Sequence, residues 1–245
     1  MTAGRAAAGG PVWDRPEPPS RKALSQLSRE RIVAAAVALA DADGLDAVSL
    51  RKVGAALDAG PMRLYGYLST KDELLDLMAD AVHAEIAVPA DAGWREALQA
   101  LATGIRAAAL RHPWFTELAG GRPHIGPHAM ALSEGVLSAL DRSGSFAGID
   151  EMMTALQTVN AYVVGSVRRE VAERRVEQAS GVTEREWQAA SGPYMMRMLA
   201  TGRFPTLARF IHDGVDRGPD DWFTQGLERV LDGLGGAYRA SKGGA

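Results

Sequence analysis

The sequence predicts an all-α chain built in two parts, a small N-terminal group of short helices and a larger helical body. Three observations carry this. Apolar residues recur at helical spacing from about residue 28 nearly to the C-terminus. Gly and Pro interrupt that pattern at intervals suited to helix–helix connections. No sustained apolar–polar alternation and no hairpin turn marks a strand.

Residues 1–27 read as a disordered arm, rich in Gly, Ala and Pro and containing Arg15-Pro16-Glu17-Pro18-Pro19-Ser20-Arg21-Lys22. Ser28 is suited to cap a first helix running to about Asp43, with Ile32, Val33, Ala36, Leu39 and Ala40 on one face and Gly44 as its stop. Ser49 caps a second helix whose Val53, Ala56 and Leu57 face inward. Asp58-Ala59-Gly60 reads as a tight turn, because Asp and Gly both tolerate a left-handed backbone. Pro61 suits the first position of a third helix carrying Met62, Arg63, Leu64, Tyr65 and Tyr67. Thr70 and Glu73 form a capping-box pattern opening a fourth helix that reaches about Ile86. Further helices are predicted over 92–111, 125–142, 149–178, 183–201, 204–214 and 220–240.

Composition narrows the function. The 245 residues are long enough for a sizeable core, and 47% of them are hydrophobic. No apolar run approaches the ~20 residues of a membrane span. The start carries no apolar leader, and cysteine is absent, so a cytoplasmic protein without disulfides or thiolate chemistry is expected. Residues 1–71 carry a net charge of +3 and residues 72–245 carry −6. A basic end on an acidic body suggests that the end meets a polyanion.

The first three helices form a tri-helical helix-turn-helix, in which the third helix enters the DNA major groove. Arg63 is long enough to reach guanine bidentately. Ser49, Arg51, Lys52, Pro61, Met62 and Lys71 flank it as backbone or groove contacts, and Tyr65 and Tyr67 carry hydroxyls suited to phosphates. Either tyrosine could instead pack the small domain. Arg21 and Lys22 suit an arm reaching the minor groove, or simply solvate the tract.

These residues resemble the DNA-binding domain of the TetR family of bacterial repressors. The match lies in Gly44-Leu45, Ser49-Leu50-Arg51-Lys52-Val53, Leu57, Leu64-Tyr65-Gly66-Tyr67-Leu68, Ser69-Thr70 and Lys71-Asp72-Glu73-Leu74. Asp58, Gly60 and Arg63 depart from the family's usual Gly, Ser and Thr, and the last of these alters a base-reading position. His112-Pro113, Gly121-Arg122-Pro123, Gly126-Pro127, Glu134 and Tyr162-Val163-Val164-Gly165 resemble the C-terminal domain of the tetracycline-repressor type. Ser191-Gly192-Pro193-Tyr194 and Arg203-Phe204-Pro205 resemble an actinomycete branch of drug-export repressors, the simocyclinone type.

The resemblance implies a DNA-binding domain over 28–75 and a ligand-binding and dimerisation domain over 76–245. The partners it implies are double-stranded operator DNA, a second copy of the chain and a small lipophilic ligand. Homodimerisation is expected through the apolar residues Leu156, Val159, Val163 and Val167 of one long helix and Trp222, Phe223, Leu227, Val230, Leu231 and Leu234 of the last, with Gly165 permitting close approach.

Candidate pocket residues are Trp114, Phe115, Arg122, His124, His128, Met130, Met153, Gln157, Asn160 and Tyr194, apolar walls with few polar anchors. Asn160 also suits a hydrogen-bonded core position. His124 and His128 invite a metal reading, but Gly126-Pro127 between them disfavours one helical face, and the zincin Glu is missing. Neither a metal nor a cofactor is therefore expected. Aligning Gly121-Arg122-Pro123 with the family places Leu118 where tetracycline repressors hold their metal-ligating His, which argues against tetracycline–magnesium. No nucleophile elbow, phosphate loop or dinucleotide fingerprint points to an enzyme. A repressor answering to a partner protein and, further off, a helical enzyme remain as alternatives.

Overall fold

A computed structural model describes residues 10–18, 27–119 and 123–242. The described residues form eleven α-helices and two short 3-10 turns, with no strand. Helix α1 (Arg29–Asp43) begins at Ser28, whose hydroxyl accepts the Arg31 amide at 3.2 Å, and ends at Gly44 with a left-handed φ of 81°. Helix α2 (Leu50–Ala56) is capped by Ser49, which accepts the Lys52 amide at 3.3 Å. Helix α3 (Pro61–Leu64) follows, and α4 (Lys71–His83) opens at Thr70, whose hydroxyl accepts the Glu73 amide. Glu73 returns its carboxylate to the amide of Ser69 at 2.6 Å, one residue before the cap.

The turn between α2 and α3 differs from its sequence reading in one respect. Asp58 does take a left-handed backbone, with φ 49°, but Gly60 sits at an ordinary φ of −62° as the start of α3. The glycine that the turn requires is Gly54. A Cβ there would lie 2.6 Å from the Ala59 carbonyl oxygen, so α2 and the turn approach at backbone distance.

The body comprises α5 (Trp94–Arg111), α6 (Phe115–Leu118), α7 (Pro127–Ser143), α8 (Ile149–Ser180), α9 (Glu184–Ala200), α10 (Pro205–Asp213) and α11 (Pro219–Lys242). Helix α5 lies against α7, α8 and α11. One apolar core runs from Ile32, Val53 and Leu64 through Leu74 and Met78 to Leu98, Val136, Val159 and Leu231. Helix α4 packs on both α1 and α7, so the expected boundary at 75/76 falls inside one continuous helix.

Two expectations are corrected here. Residues 10–18 of the arm are ordered: Val12 is 2% exposed and belongs to the same core as α1. The residues assigned to a dimer face are mostly spent within the protomer. Leu156, Val159, Val163 and Val167 of α8 and Phe223, Leu227 and Leu231 of α11 are buried against each other and α5. The apolar period fixes which side of a helix is buried, not against which chain.

Polar ties reinforce the packing. Arg106 of α5 makes a bidentate pair with Glu170 of α8, reaches Asp220 of α11 at 2.5 Å, and lies 4.9 Å over the Phe223 ring. The Glu170 carboxylate holds the Arg106 guanidinium above its usual pKa.

Candidate nucleic-acid interface and ligand site

The predicted DNA-reading side chains that are described sit on the adjacent short helices α2 and α3 and at the starts of α2 and α4, and most are exposed. Met62 is 80% exposed and Tyr65 50%, while Arg63, Pro61, Arg51, Lys52 and Lys71 are all exposed. Leu64 is fully buried among them and anchors α3 to the core. An α3 of one turn therefore presents three consecutive outward residues, then turns back through Leu64. Ser49 is half-buried, its hydroxyl already engaged as a cap.

Tyr67 is corrected. It is 9% exposed, and its hydroxyl donates to the Leu27 carbonyl at 2.7 Å, so it packs α3 onto the start of α1 and has no hydroxyl free for phosphate. Leu68, also buried, completes that contact. Arg21 and Lys22 lie outside the described residues, as does Arg122.

Residues proposed for a pocket fall into three groups. Phe115 and His124 converge on His83 of α4, whose ring sits 5.2 Å from Phe115 and 5.3 Å from His124. The His83 Nδ1–H donates to the Ala79 carbonyl at 2.7 Å, yet burial holds its imidazole below the usual histidine pKa. His128 belongs to the same neighbourhood. Its ring meets Asp80 at 2.9 Å, and Asp80 also accepts the backbone amides of His128 and Ala129 at 3.0 Å, capping α7. A Cβ at Gly126 would lie 2.2 Å from the Asp80 carboxylate, so this junction of α4 and α7 requires glycine there.

Met153 and Gln157 lie exposed on α8, with Asn160 half-buried beside them. Met130 on α7 and Tyr194 on α9 are exposed, at 58% and 61%, and take no part in the protomer's interior. Trp114 is corrected outright. It is 1% exposed, and its indole N–H donates to Asp41 of α1 at 2.6 Å, which makes it a core tie between the two parts of the chain.

Asp41 and Asp80 carry functions that the sequence reading missed. Asp80 had a visible signal, a carboxylate between the apolar residues Leu77-Met78-Ala79 and Ala81-Val82 of α4. Asp41 had none, being one of two acids at the end of an ordinary helix. It accepts from Trp114 and also faces the His112 ring at 2.7 Å, while the other ring nitrogen of His112 faces Glu85 at 3.1 Å.

An open cleft of about 1040 Å³ lies between α8, the start of α9 and α11, and none of the nine described candidate pocket residues lines it. Its walls include Tyr162, Gly165, Arg169, Glu173, Arg217 and Trp222. Among the described residues, no group of three or more His, Asp or Glu is placed to hold a metal ion, and no helix is long and apolar enough to cross a membrane.

A helix-turn-helix with an exposed arginine, mounted on a helical body through a shared helix, defines a DNA-binding regulator. Residues 88–238 match the tetracyclin repressor-like C-terminal domain. An HTH-type transcriptional repressor of Streptomyces coeruleorubidus, DrrR1, is 40% identical over 227 residues, covering 91% of this chain and 83% of that one. The class A tetracycline repressor from transposon 1721 of Escherichia coli is 31% identical over 218 residues, 86% of this chain and 92% of that one. Among solved structures, ActR of Streptomyces coelicolor in complex with actinorhodin superposes with a TM-score of 0.73 at 29% identity, covering 86% of this chain and 96% of that one. The chain belongs to the TetR family of transcriptional repressors.

Proposed function

We propose that two copies of this chain pair and bind a near-palindromic operator, and that a bulky, largely apolar small molecule releases them. On this reading residues 28–75 bind DNA, residues 76–245 pair and bind ligand, and the protein acts in the cytoplasm without catalysis. The genes controlled are those of drug export or antibiotic handling.

The observation that carries the DNA reading is the surface of α3. Arg63 is exposed on a one-turn helix between exposed Met62 and the buried Leu64, and Arg51 and Lys52 of α2 and Lys71 of α4 are exposed as well. In this reading Arg63 contacts a base, and the other cations and Tyr65 contact phosphates.

Support for pairing comes from unburied apolar surface. Helix α10 buries none of its residues, and Leu207, Phe210 and Ile211 are exposed on it. Trp187 and Met196 are exposed on α9 and Trp222 on α11. Gly165 has open space beyond it, where a partner helix would fit closely. The ligand reading draws on the Phe115–His83–His124 cluster against α4, and on ActR having been solved with actinorhodin bound.

The test is selection of a duplex from a random pool by the full-length protein, followed by light scattering and mobility shift. Enrichment of an inverted repeat by a dimer supports the reading. A monomeric mass at micromolar concentration, or no enriched sequence, refutes it.

A further inference from the structure

We propose that Arg15, in the N-terminal strap of residues 10–18, is a positioning residue for operator binding. It acts by locking the exit of the recognition helix to the start of α4. This rests on the DNA-binding reading above.

The strap is docked at both ends of a short run. Val12 is buried in the core, and Trp13 packs partly against it. Three residues on, the Arg15 guanidinium donates to the Ser69 hydroxyl at 2.5 Å and to the Glu73 carboxylate. That carboxylate also takes the Ser69 amide, so Arg15, Ser69 and Glu73 close around the first turn of α4. The strap's backbone is held as well. The Arg15 carbonyl accepts from Arg29 at 2.6 Å, and the Arg29 Nε–H donates to the Tyr67 carbonyl at 3.1 Å. Strap, α1 and the residues leaving α3 are therefore pinned to one another by two arginines.

The consequence is geometric. Residues 65–70 are the only covalent link between α3, which carries Arg63, and Lys71 at the first turn of α4. Tyr65, Gly66 and Ser69 of that link are exposed, and Gly66 adds backbone freedom. Without the Arg15 guanidinium, the angle between Arg63 and Lys71 is set by the packing of Leu64, Tyr67 and Leu68, the Arg29 contact to the Tyr67 carbonyl and the Glu73 contact to the Ser69 amide. Base contacts tolerate errors of only a fraction of an ångström, whereas phosphate contacts by long cations adapt. The Arg15 brace is a charge-assisted contact whose guanidinium is largely enclosed. Its Nε is buried without a hydrogen-bond partner among the described residues, a cost that the two terminal contacts must outweigh. Arg15 thus spends its charge inside the domain and holds the surface that reads DNA.

The experiment titrates full-length wild type and the Arg15→Ala, Arg15→Lys and Glu73→Gln variants against two duplexes. One is the duplex that wild type enriches from a random pool, and the other is a shuffled duplex of equal length. Both are measured across roughly 50 to 300 mM salt, below each variant's melting temperature. Arg15→Ala should weaken the enriched duplex about tenfold and the shuffled duplex less than about twofold, with an unchanged salt slope. Glu73→Gln should do the same, the Arg15→Ala/Glu73→Gln double variant should add little beyond either single change, and Arg15→Lys should recover part of the loss.

Unchanged affinity in the folded Arg15→Ala variant would make the strap a stabilising element only and overturn the proposal. A salt slope reduced by about one would show Arg15 itself on a phosphate, which also overturns it. Failure of wild type to enrich any duplex overturns the DNA reading and this inference together. Failure of the Arg15 variants alone, with Arg63→Ala still relaxing base preference, overturns only this inference.

Discussion

The carboxylate of Asp41, at the end of α1, accepts the indole N–H of Trp114 at 2.6 Å, so one hydrogen bond spans from the DNA-binding helices to the entry of α6. The same oxygen faces His112 at 2.7 Å, and Arg168 of α8 holds the Thr116 carbonyl at 3.1 Å on the other side of α6. Helix α6 is therefore gripped between α8 and α1. Any movement in the body that shifts α6 pulls on Asp41.

Asp41→Ala should destabilise the protein by about 1–3 kcal/mol, because it strands the buried indole N–H and one nitrogen of His112. Asp41→Asn, which keeps an acceptor, should cost less. Urea denaturation checks both. Equal stability of Asp41→Ala and wild type would mean that water satisfies the indole and that the tie carries no load.

Arg63→Ala should weaken binding to the selected duplex by about 1–3 kcal/mol and relax preference at one base pair in each half-site. Lys71→Ala should weaken all sequences alike and flatten the salt slope by about one. Binding to duplexes substituted position by position checks the first, and a salt series checks the second. Base preference unchanged by Arg63→Ala would remove Arg63 from the reading surface.

The helices themselves were legible in the sequence, because each carries its own signals. Ser28, Ser49 and Thr70 are caps recognisable from residue type and the apolar run that follows, and each accepts an amide as its type implies. What the periodicity could not show was the partner of each buried face. Val163 and Phe223 read correctly as apolar-face residues, but their cover is inside the protomer. Tyr67 could serve as core or as contact on sequence grounds, and only the position of the Leu27 carbonyl decides it. The strap was illegible for a different reason. Its Pro-rich composition carries no period, and Arg15 gains its role from residues more than fifty positions away.

Gly126→Ala should destabilise the fold by roughly 1–3 kcal/mol, since its Cβ would displace the Asp80 carboxylate from the two amides that it caps. Asp80→Ala should show a comparable loss by removing the cap itself, and the double variant should fall short of the sum. Additive losses would show that Gly126 and Asp80 act separately.

His83 gives stability a pH dependence. Its folded pKa is lowered, chiefly by burial, so the native state takes up a proton there less readily than the unfolded chain does. The stability it contributes is complete above the ordinary value of about 6.5 and is lost as pH falls through the lowered folded value. Of the groups facing it, His124 and His128 act in the same direction and Asp80 opposes them. His83→Gln should therefore flatten the dependence of melting temperature on pH below about 6.5. An unchanged profile would assign that dependence to other groups.

The last prediction concerns release from DNA. A bound molecule moves the chain from one state to another only by its preference between them. Shifting the equilibrium from 1:99 to 99:1 needs a preference of roughly 10⁴-fold. A large apolar ligand seated against Phe115, His124 and His83 would bear directly on α4, which packs on both α1 and α7. Tilting α4 would move Lys71 and α3 with it and change the spacing of two recognition helices that must reach grooves roughly 34–36 Å apart. Actinorhodin, angucycline polyketides and tetracycline with and without magnesium should be titrated into the protein–duplex complex. Release by a polyketide without added metal is expected, together with a rise in melting temperature, and Phe115→Ala should weaken both. Leu118 supplies no metal ligand, so release by tetracycline only when magnesium is present would refute the metal-free mode. Absence of release and of thermal stabilisation by every compound would favour control by a partner protein.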